Sequence, residues 1–361
     1  MKKSFRLALV AGACFAGLAL AAPALASYSP SLIMEQSSYR LGAPTTADVF
    51  LAIPQNDDPT AKITIFSPVG YDANLTAAPG SKIGAVVALV KAKALGNAIL
   101  PLSGDVLVAN PADPTIQAAA VRCTGSATHS TIWVLNTSLQ GQTVAIPVFV
   151  DRAGPLVTQQ VCLPSPDIPE AMGGAKFGAQ LVAADFTIRG VFTNAGTNGG
   201  YEWAAIFTPY AAGTGTANPA GTVQARTYVG LPSSLTLKRV KARRGFKLKG
   251  QLKIAGVDTR GVRLNLYAGK KPRPAPTATT SGTGKRIARS SRLPLSGKYS
   301  IARPNVRVAT YFQTRFENYT TDCTGTIPGV PAAVPCREER IAAVTSNQVK
   351  VTKPRVKKRH R

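Results

Sequence analysis

From Phe246 to Ile254 the chain alternates with a period of two. Phe246, Leu248, Leu252 and Ile254 are apolar, and Lys247, Lys249 and Lys253 stand between them. A helix repeats like residues three and four apart, whereas period two sends successive side chains to opposite faces of a strand. The segment therefore predicts a β-strand with one apolar and one lysine face. Val262-Arg263-Leu264-Asn265-Leu266, the pair Val306 and Val308, and Val349-Lys350-Val351 repeat the pattern. Gly245, Gly256, Gly261, Gly269 and Gly297 punctuate these runs at turn-like intervals. About six or seven short strands, with no helical segment among them, predict an antiparallel sandwich over residues 233–352.

Within that stretch, Gly256-Val257-Asp258-Thr259-Arg260-Gly261-Val262-Arg263-Leu264-Asn265-Leu266-Tyr267 resembles the turn-and-strand of bacterial immunoglobulin-like modules of exported proteins. Thr310-Tyr311-Phe312-Gln313-Thr314-Arg315-Phe316 resembles their late strand, and Ser346-Asn347-Gln348-Val349-Lys350-Val351 their closing strand. The resemblance implies a β-sandwich used as a spacer or adhesive module, with no catalytic residues to carry over. The chain departs from the family in charge, because the family's usual mild acidity is absent here.

The N-terminal half also reads as β, less regularly. Thr131–Leu135 and Val144–Val150 predict paired strands around Gln140-Gly141-Gln142. Asp185–Phe192 and Tyr201–Phe207 predict a second hairpin over the loop 194–200, and Val223, Ala225, Thr227 and Val229 a last strand. The valine-rich run Ala85–Leu95 is read as strand, although runs this short do not separate helix from strand by period alone. The expected class is all-β, with a larger jelly-roll-like sandwich over 27–232 and the immunoglobulin-like one over 233–352.

Charge divides at the same boundary, near Pro232. Of 43 Lys and Arg residues, 30 lie after it, against 5 of the 17 acids. Residues 27–232 hold 10 basic and 12 acidic residues. Lys238, Arg239, Lys241, Arg243, Arg244, Lys247, Lys249 and Lys253 fall in one short acid-free stretch, and the tail 353–361 adds Lys357, Lys358 and Arg359. Soluble surfaces ordinarily mix signs, and an excess of one sign repels itself unless anions neutralise it. These residues are therefore the candidate polyanion-binding set.

The first 26 residues predict where this happens. Lys2, Lys3 and Arg6 precede an apolar run from Leu7 to Leu20, and Ala24-Leu25-Ala26 offers an A-x-A cleavage site before Ser27. A lipoprotein reading on Ala11-Gly12-Ala13-Cys14 fits less well, since it leaves apolar Phe15–Leu20 on the mature end. Cleavage leaves Cys123, Cys162, Cys323 and Cys336, an even number suited to an oxidising compartment. Three pairings are possible; proximity in sequence favours Cys123 with Cys162 and Cys323 with Cys336. The expected location is extracellular or at the cell surface, without a transmembrane anchor.

Other chemistries find little footing. Leu-Pro-Leu-Ser-Gly at 100–104 and 293–297 lacks the apolar span and basic end of a sorting signal, and reads as a strand end and turn. Ser281-Gly282-Thr283-Gly284-Lys285-Arg286 misses the first glycine and the final Ser/Thr of a phosphate loop. His129 has no G-x-S-x-G or S-x-x-K companion and reads as a surface or strand-edge histidine. Asn56-Asp57-Asp58-Pro59 reads as a turn, with a weak calcium site as the alternative. Trp133, Tyr201, Trp203 and Tyr210 read as core, with a sugar-stacking face as the alternative. No cofactor, metal or catalytic residue is expected. The expectation is an exported, non-enzymatic envelope or extracellular protein that binds anionic cell-wall polymers or lipid headgroups, and also extracellular DNA or polysaccharide. The alternatives are a carbohydrate-active hydrolase and a sugar-binding adhesin using the N-terminal half.

Overall fold

A computed structural model describes residues 28–139, 141–242, 245–255, 259–277, 281–301, 306, 308–317, 319–321 and 339–352. Residues 1–26, where a signal segment is expected, the tail 353–361, Arg243, Arg244, Cys323 and Cys336 lie outside the described residues. In chain order the strands are β1 (Ser31–Gln36), β2 (Ala47–Ala52), β3 (Thr60–Phe66), β4 (Asp72–Ala73), β5 (Lys82–Ala92), β6 (Ala98–Val108), β7 (Thr131–Leu139) and β8 (Gln142–Ala153). There follow β9 (Leu156–Cys162), β10 (Ala179–Ile188), β11 (Phe192–Thr193), β12 (Gly199–Pro209), β13 (Val223–Leu231), β14 (Ser233–Leu235), β15 (Lys238–Ala242) and β16 (Gly245–Ile254). The last are β17 (Asn265–Gly269), β18 (Lys285–Arg289), β19 (Lys298–Ile301), β20 (Thr310–Phe316), β21 (Tyr319–Thr321), β22 (Glu339–Ile341), β23 (Val344–Thr345) and β24 (Val349–Val351). One α-helix stands among the described residues, α1 (Pro114–Thr124). The chain is all-β with that single insertion.

The N-terminal strands form one continuous sheet in the order β1-β2-β10-β5-β6-β7-β8-β9-β3-β12-β13, continued by β22 and β21. Neighbours from β1 to β13 are antiparallel. The sheet curls until β13 lies beside β1. Period two then puts one apolar set inside: Leu32, Val49, Ile188, Val86, Val106, Trp133, Val148, Val161, Ile63, Trp203 and Val229, one from each strand in sheet order, belong to one buried cluster. Fully burying each Leu, Val or Ile contributes about 1.5–3 kcal/mol, so this ring of side chains is the principal reason the sheet closes.

A second cluster follows Leu231. Strands β14, β15 and β19 all pair with β16, while β18, β17 and β20 form a second sheet with β23 and β24 on β20. Phe246, Leu248, Leu252 and Ile254 of β16 face Leu266, Phe312 and Val351 of the other sheet. Leu248 is completely buried, and Leu248→Ala would cost about 2–5 kcal/mol.

The two clusters meet at Tyr39, which packs against both and donates its hydroxyl to Ala343 O at 3.1 Å. Burial pushes the Tyr39 phenol well above its ordinary range, so it stays a donor. Ala342 N donates to Tyr228 O at 2.7 Å, carrying the late chain onto the edge of β13.

Several sequence expectations require correction. β10 and β12 are not a hairpin: β10 lies between β2 and β5, and β12 between β3 and β13. After Ile188 the chain is captured by β4, which pairs with β11, and Phe192 buries its ring against Trp203 at 5.3 Å. Leu100–Gly104 lies inside β6 and not at its end. Gly104 serves close approach there, since a Cβ would meet Asn136 O at 1.9 Å. Val262–Leu264 precedes β17 and is held to a loop by Gly261 N donating to Leu293 O and Leu293 N to Val262 O. Val306 and Val308 fall outside the strands.

Candidate functional site

β16 is the axis of the candidate site. Phe246, Leu248, Leu252 and Ile254 are buried, and Lys247, Lys249 and Lys253 are exposed. Hydrogen bonding brings two more lysines onto that outer face. Lys238 of β15 stands directly opposite Lys249, and Lys298 of β19 opposite Gln251. Same-face residues two apart on a strand are separated by about 7 Å, and paired strands by about 4.8 Å. Five ammonium groups are thus gathered on one side of a three-strand patch. Like charges directly opposite each other destabilise a ladder, so Lys238 and Lys249 weaken the sheet unless an anion bridges them.

The backbone that presents this face depends on Gly250. A Cβ there would meet Thr236 O at 1.9 Å and the Tyr299 hydroxyl at 2.5 Å. With only hydrogen in that position, Tyr299 reaches Thr236 O at 2.5 Å and Thr314 Oγ1 at 2.6 Å. Burial pushes the Tyr299 phenol up to about 12, so it remains protonated beneath the lysines.

None of the five lysines forms an ion pair with a described residue. Of the five acids after residue 232, Glu317 is the one whose side chain is described. It is half-exposed and already engaged on the other sheet, accepting from Arg315 Nε at 2.8 Å, Asn265 Nδ2 at 2.9 Å and the Tyr267 hydroxyl at 3.0 Å. It is no counterion for the lysine face.

The cluster seen in sequence divides in space. Lys238, Lys247, Lys249 and Lys253 share the outer face. Arg239 and Lys241 register with Leu248 and Phe246 and lie toward the opposite side; the Arg239 guanidinium covers the Phe246 ring at 5.3 Å. Arg243, Arg244, Lys357, Lys358 and Arg359 lie outside the described residues. Lys298 was missed by the sequence cluster, though Lys298-Tyr299-Ser300-Ile301 alternates like β16. A second exposed cationic strip, Lys285, Arg286 and Arg289, runs along β18 at the edge of the other sheet.

The remaining candidates have structural partners. The disulfide Cys123–Cys162 is formed, with Cα atoms 5.7 Å apart. His129 Nδ1 lies 2.7 Å from Asp151 Oδ2, and His129 Nε2 lies 3.1 Å from Thr124 Oγ1. This row resembles a nucleophile–base–acid relay, but Thr124 Oγ1 donates 2.9 Å to Ala120 O in its own helix, and the imidazole is 2 % exposed. The row fastens the end of α1 to β8. Asp57 closes a turn, its carboxylate accepting from Ser29 N at 2.7 Å. Trp133 and Trp203 are core residues, so neither indole can stack on a sugar. No group of three or more His, Cys, Asp or Glu residues suited to a metal occurs among the described residues. No described helix is long and apolar enough to cross a membrane.

Neither a protein-family model nor a curated protein matches the chain.

Proposed function

We propose that this is an exported, non-enzymatic protein of the cell envelope or extracellular space whose C-terminal unit grips anionic polymers or surfaces through the β15–β16–β19 face. One observation carries the reading: Lys238, Lys247, Lys249, Lys253 and Lys298 converge on one outer sheet face with no described carboxylate among them. Phosphate-bearing wall polymers and anionic lipid headgroups are the partners this chemistry suits, each lysine near such a surface contributing about 1 kcal/mol. DNA would bind through the same charges without base readout. The β18 strip and the basic tail would extend the contact.

The reading includes two domains, divided near Pro232. The separate buried clusters and the charge split support the division. The immunoglobulin-like reading of the second unit rests on its two facing sheets and the sequence resemblance. Export rests on residues 1–26, and the disulfide is compatible with an oxidising compartment.

The test uses the full mature chain on immobilised polyphosphate and on phosphatidylglycerol vesicles. Binding at about 50 mM salt should be lost by about 0.5 M, as counterion release requires. Lys238→Glu, Lys247→Glu and Lys249→Glu together should abolish it while leaving the circular dichroism spectrum unchanged. Retention that ignores both salt and charge reversal would refute the reading.

A further inference from the structure

The outer face of β16 carries its cations in a row. Lys247, Lys249 and Lys253 stand at outward positions of the strand, and Gln251 is the one neutral side chain between them. Gln251 donates its Nε2 to Ser296 O at 2.8 Å, and β19 places Lys298 directly opposite it. Lys247, Lys249, Lys298 and Lys253 therefore follow one another in steps of about 7 Å, two residues of strand, over about 20 Å in all. Lys298 is offset sideways by one strand spacing, about 4.8 Å, which a flexible four-carbon stem can span. Lys238 doubles the charge at Lys249. The flanks are otherwise neutral: Val240 stands opposite Lys247, and Ser300 opposite Lys249. The charge thus runs along the strand and does not spread across the sheet.

A row of cations suits a row of anions with the same step. An extended chain advances about 3.3–3.6 Å for the three bonds of a peptide repeat, so a six-bond repeat advances about 7 Å. Poly(glycerol phosphate) has that repeat: two ester oxygens and three carbons separate successive phosphorus atoms, and each phosphodiester carries one negative charge. Polyphosphate, with one oxygen between phosphorus atoms, repeats in about 2.4 Å by the same measure, so four of its phosphates span one step of the row. Single-stranded nucleic acid shares the six-bond repeat, but proteins that hold it add aromatic rings on which the bases stack. Phe246 and Tyr299 are turned inward and buried, and the described residues of β15, β16 and β19 put no ring on the outer face.

We propose that β16 seats one extended poly(glycerol phosphate) chain lengthwise, with successive phosphodiesters over Lys247, Lys249, Lys298 and Lys253, and with Lys238 as a second donor to the phosphate over Lys249. The proposal rests on the polyanion reading of this face and narrows its partner to a single, sparsely charged phosphodiester chain.

The test titrates the full chain at about 50 mM salt, where phosphate contacts are least screened. The probes are glycerol phosphate oligomers of two, four and eight phosphates, four-phosphate polyphosphate, four-phosphate oligothymidylate and phosphatidylglycerol vesicles. A lysine near a phosphate surface is worth about fivefold in affinity. Affinity should therefore rise at least tenfold from two to four glycerol phosphates, and by no more than about twofold from four to eight, once the row is filled. The glycerol phosphate tetramer should bind at least fivefold tighter than four-phosphate polyphosphate, which is too short to reach all four lysines. Lys298→Gln should weaken the tetramer about fivefold, whereas Lys285→Gln, which removes the same charge from β18, should cost less than twofold. Equal binding of the two four-phosphate chains, or equal losses in the two variants, would overturn the spacing and leave a general polyanion surface. Tighter binding of the oligothymidylate would overturn it in favour of single-stranded nucleic acid, and tighter binding of the vesicles per exposed phosphate in favour of a lipid surface. No binding to any of these probes would remove the polyanion reading as well.

Discussion

Arg315 Nη2 donates to Glu35 Oε1 at 2.7 Å across 280 positions of sequence, with each side chain 9 % exposed. The contact ties β20 of the second cluster to β1 of the first. The same guanidinium donates to Glu317 Oε2 at 2.8 Å and to Pro276 O at 2.7 Å. Breaking a buried pair from one side leaves an uncompensated charge and costs about 3–5 kcal/mol. Arg315→Leu should therefore lower unfolding free energy by about that much in urea titration. Glu35→Gln, which keeps an acceptor, should cost less. A loss under about 1 kcal/mol for Arg315→Leu would mean the bridge does not hold the clusters together.

Asp185 should make stability fall with rising pH. It lies on the outward side of β10; β2 between them carries Asp48, which registers with Glu35 on one side and Thr187 on the other. Burial, then the charges of Asp48 and Glu35, push the Asp185 carboxyl from its ordinary 3.8 up to about 7. Between those values the folded protein holds more protons than the unfolded chain, so stability declines through that window and levels off above it. Asp185→Asn should flatten the decline and raise the melting temperature at pH 8 relative to the parent. A parallel pH profile for the two proteins would remove Asp185 from this role.

The Cys123–Cys162 link spans 39 positions and joins α1 to β9. In the chain-entropy treatment a loop of that size stabilises by about 4 kcal/mol. The double variant Cys123→Ser, Cys162→Ser should unfold at lower denaturant, with a loss of about 2–5 kcal/mol of unfolding free energy. It should also free the end of α1 from β9, seen as faster amide exchange from Thr124 to Ser130. Unchanged exchange there would show that the remaining contacts, His129 with Asp151 and Lys62 Nζ donating to Cys123 O at 3.0 Å, suffice to fasten the helix.

The strand class was legible because period two survives in sequence wherever one face is buried, as in β16, β7 and β13. The disulfide was legible from spacing. The order of the large sheet was not, because β10 reaches β2 and β5 through pairings that local pattern does not encode. Helix α1 was missed although it carries the signals of a helix: Asp113 caps Thr115 N at 2.8 Å, Pro114 opens the first turn, and Gly125 ends it with φ 79°. Its apolar face is short, with Ala120 its one buried residue, so periodicity gave little to read. At the candidate site, composition located Lys238, Lys247, Lys249 and Lys253. Only register could add Lys298 and send Arg239 and Lys241 to the other side.

The most direct measurement is the salt slope of binding to a short DNA duplex, used as a calibrated polyanion. Counterion release gives log K against log salt a slope of about −0.9 per phosphate neutralised. Engagement of the five-lysine face predicts a slope of about −4 or steeper for the full chain. Replacing Lys238, Lys247 and Lys249 with Gln should make it shallower by about 1 per residue. A slope near zero, or one that those three substitutions leave unchanged, would contradict a cationic sheet face built to hold polyanions.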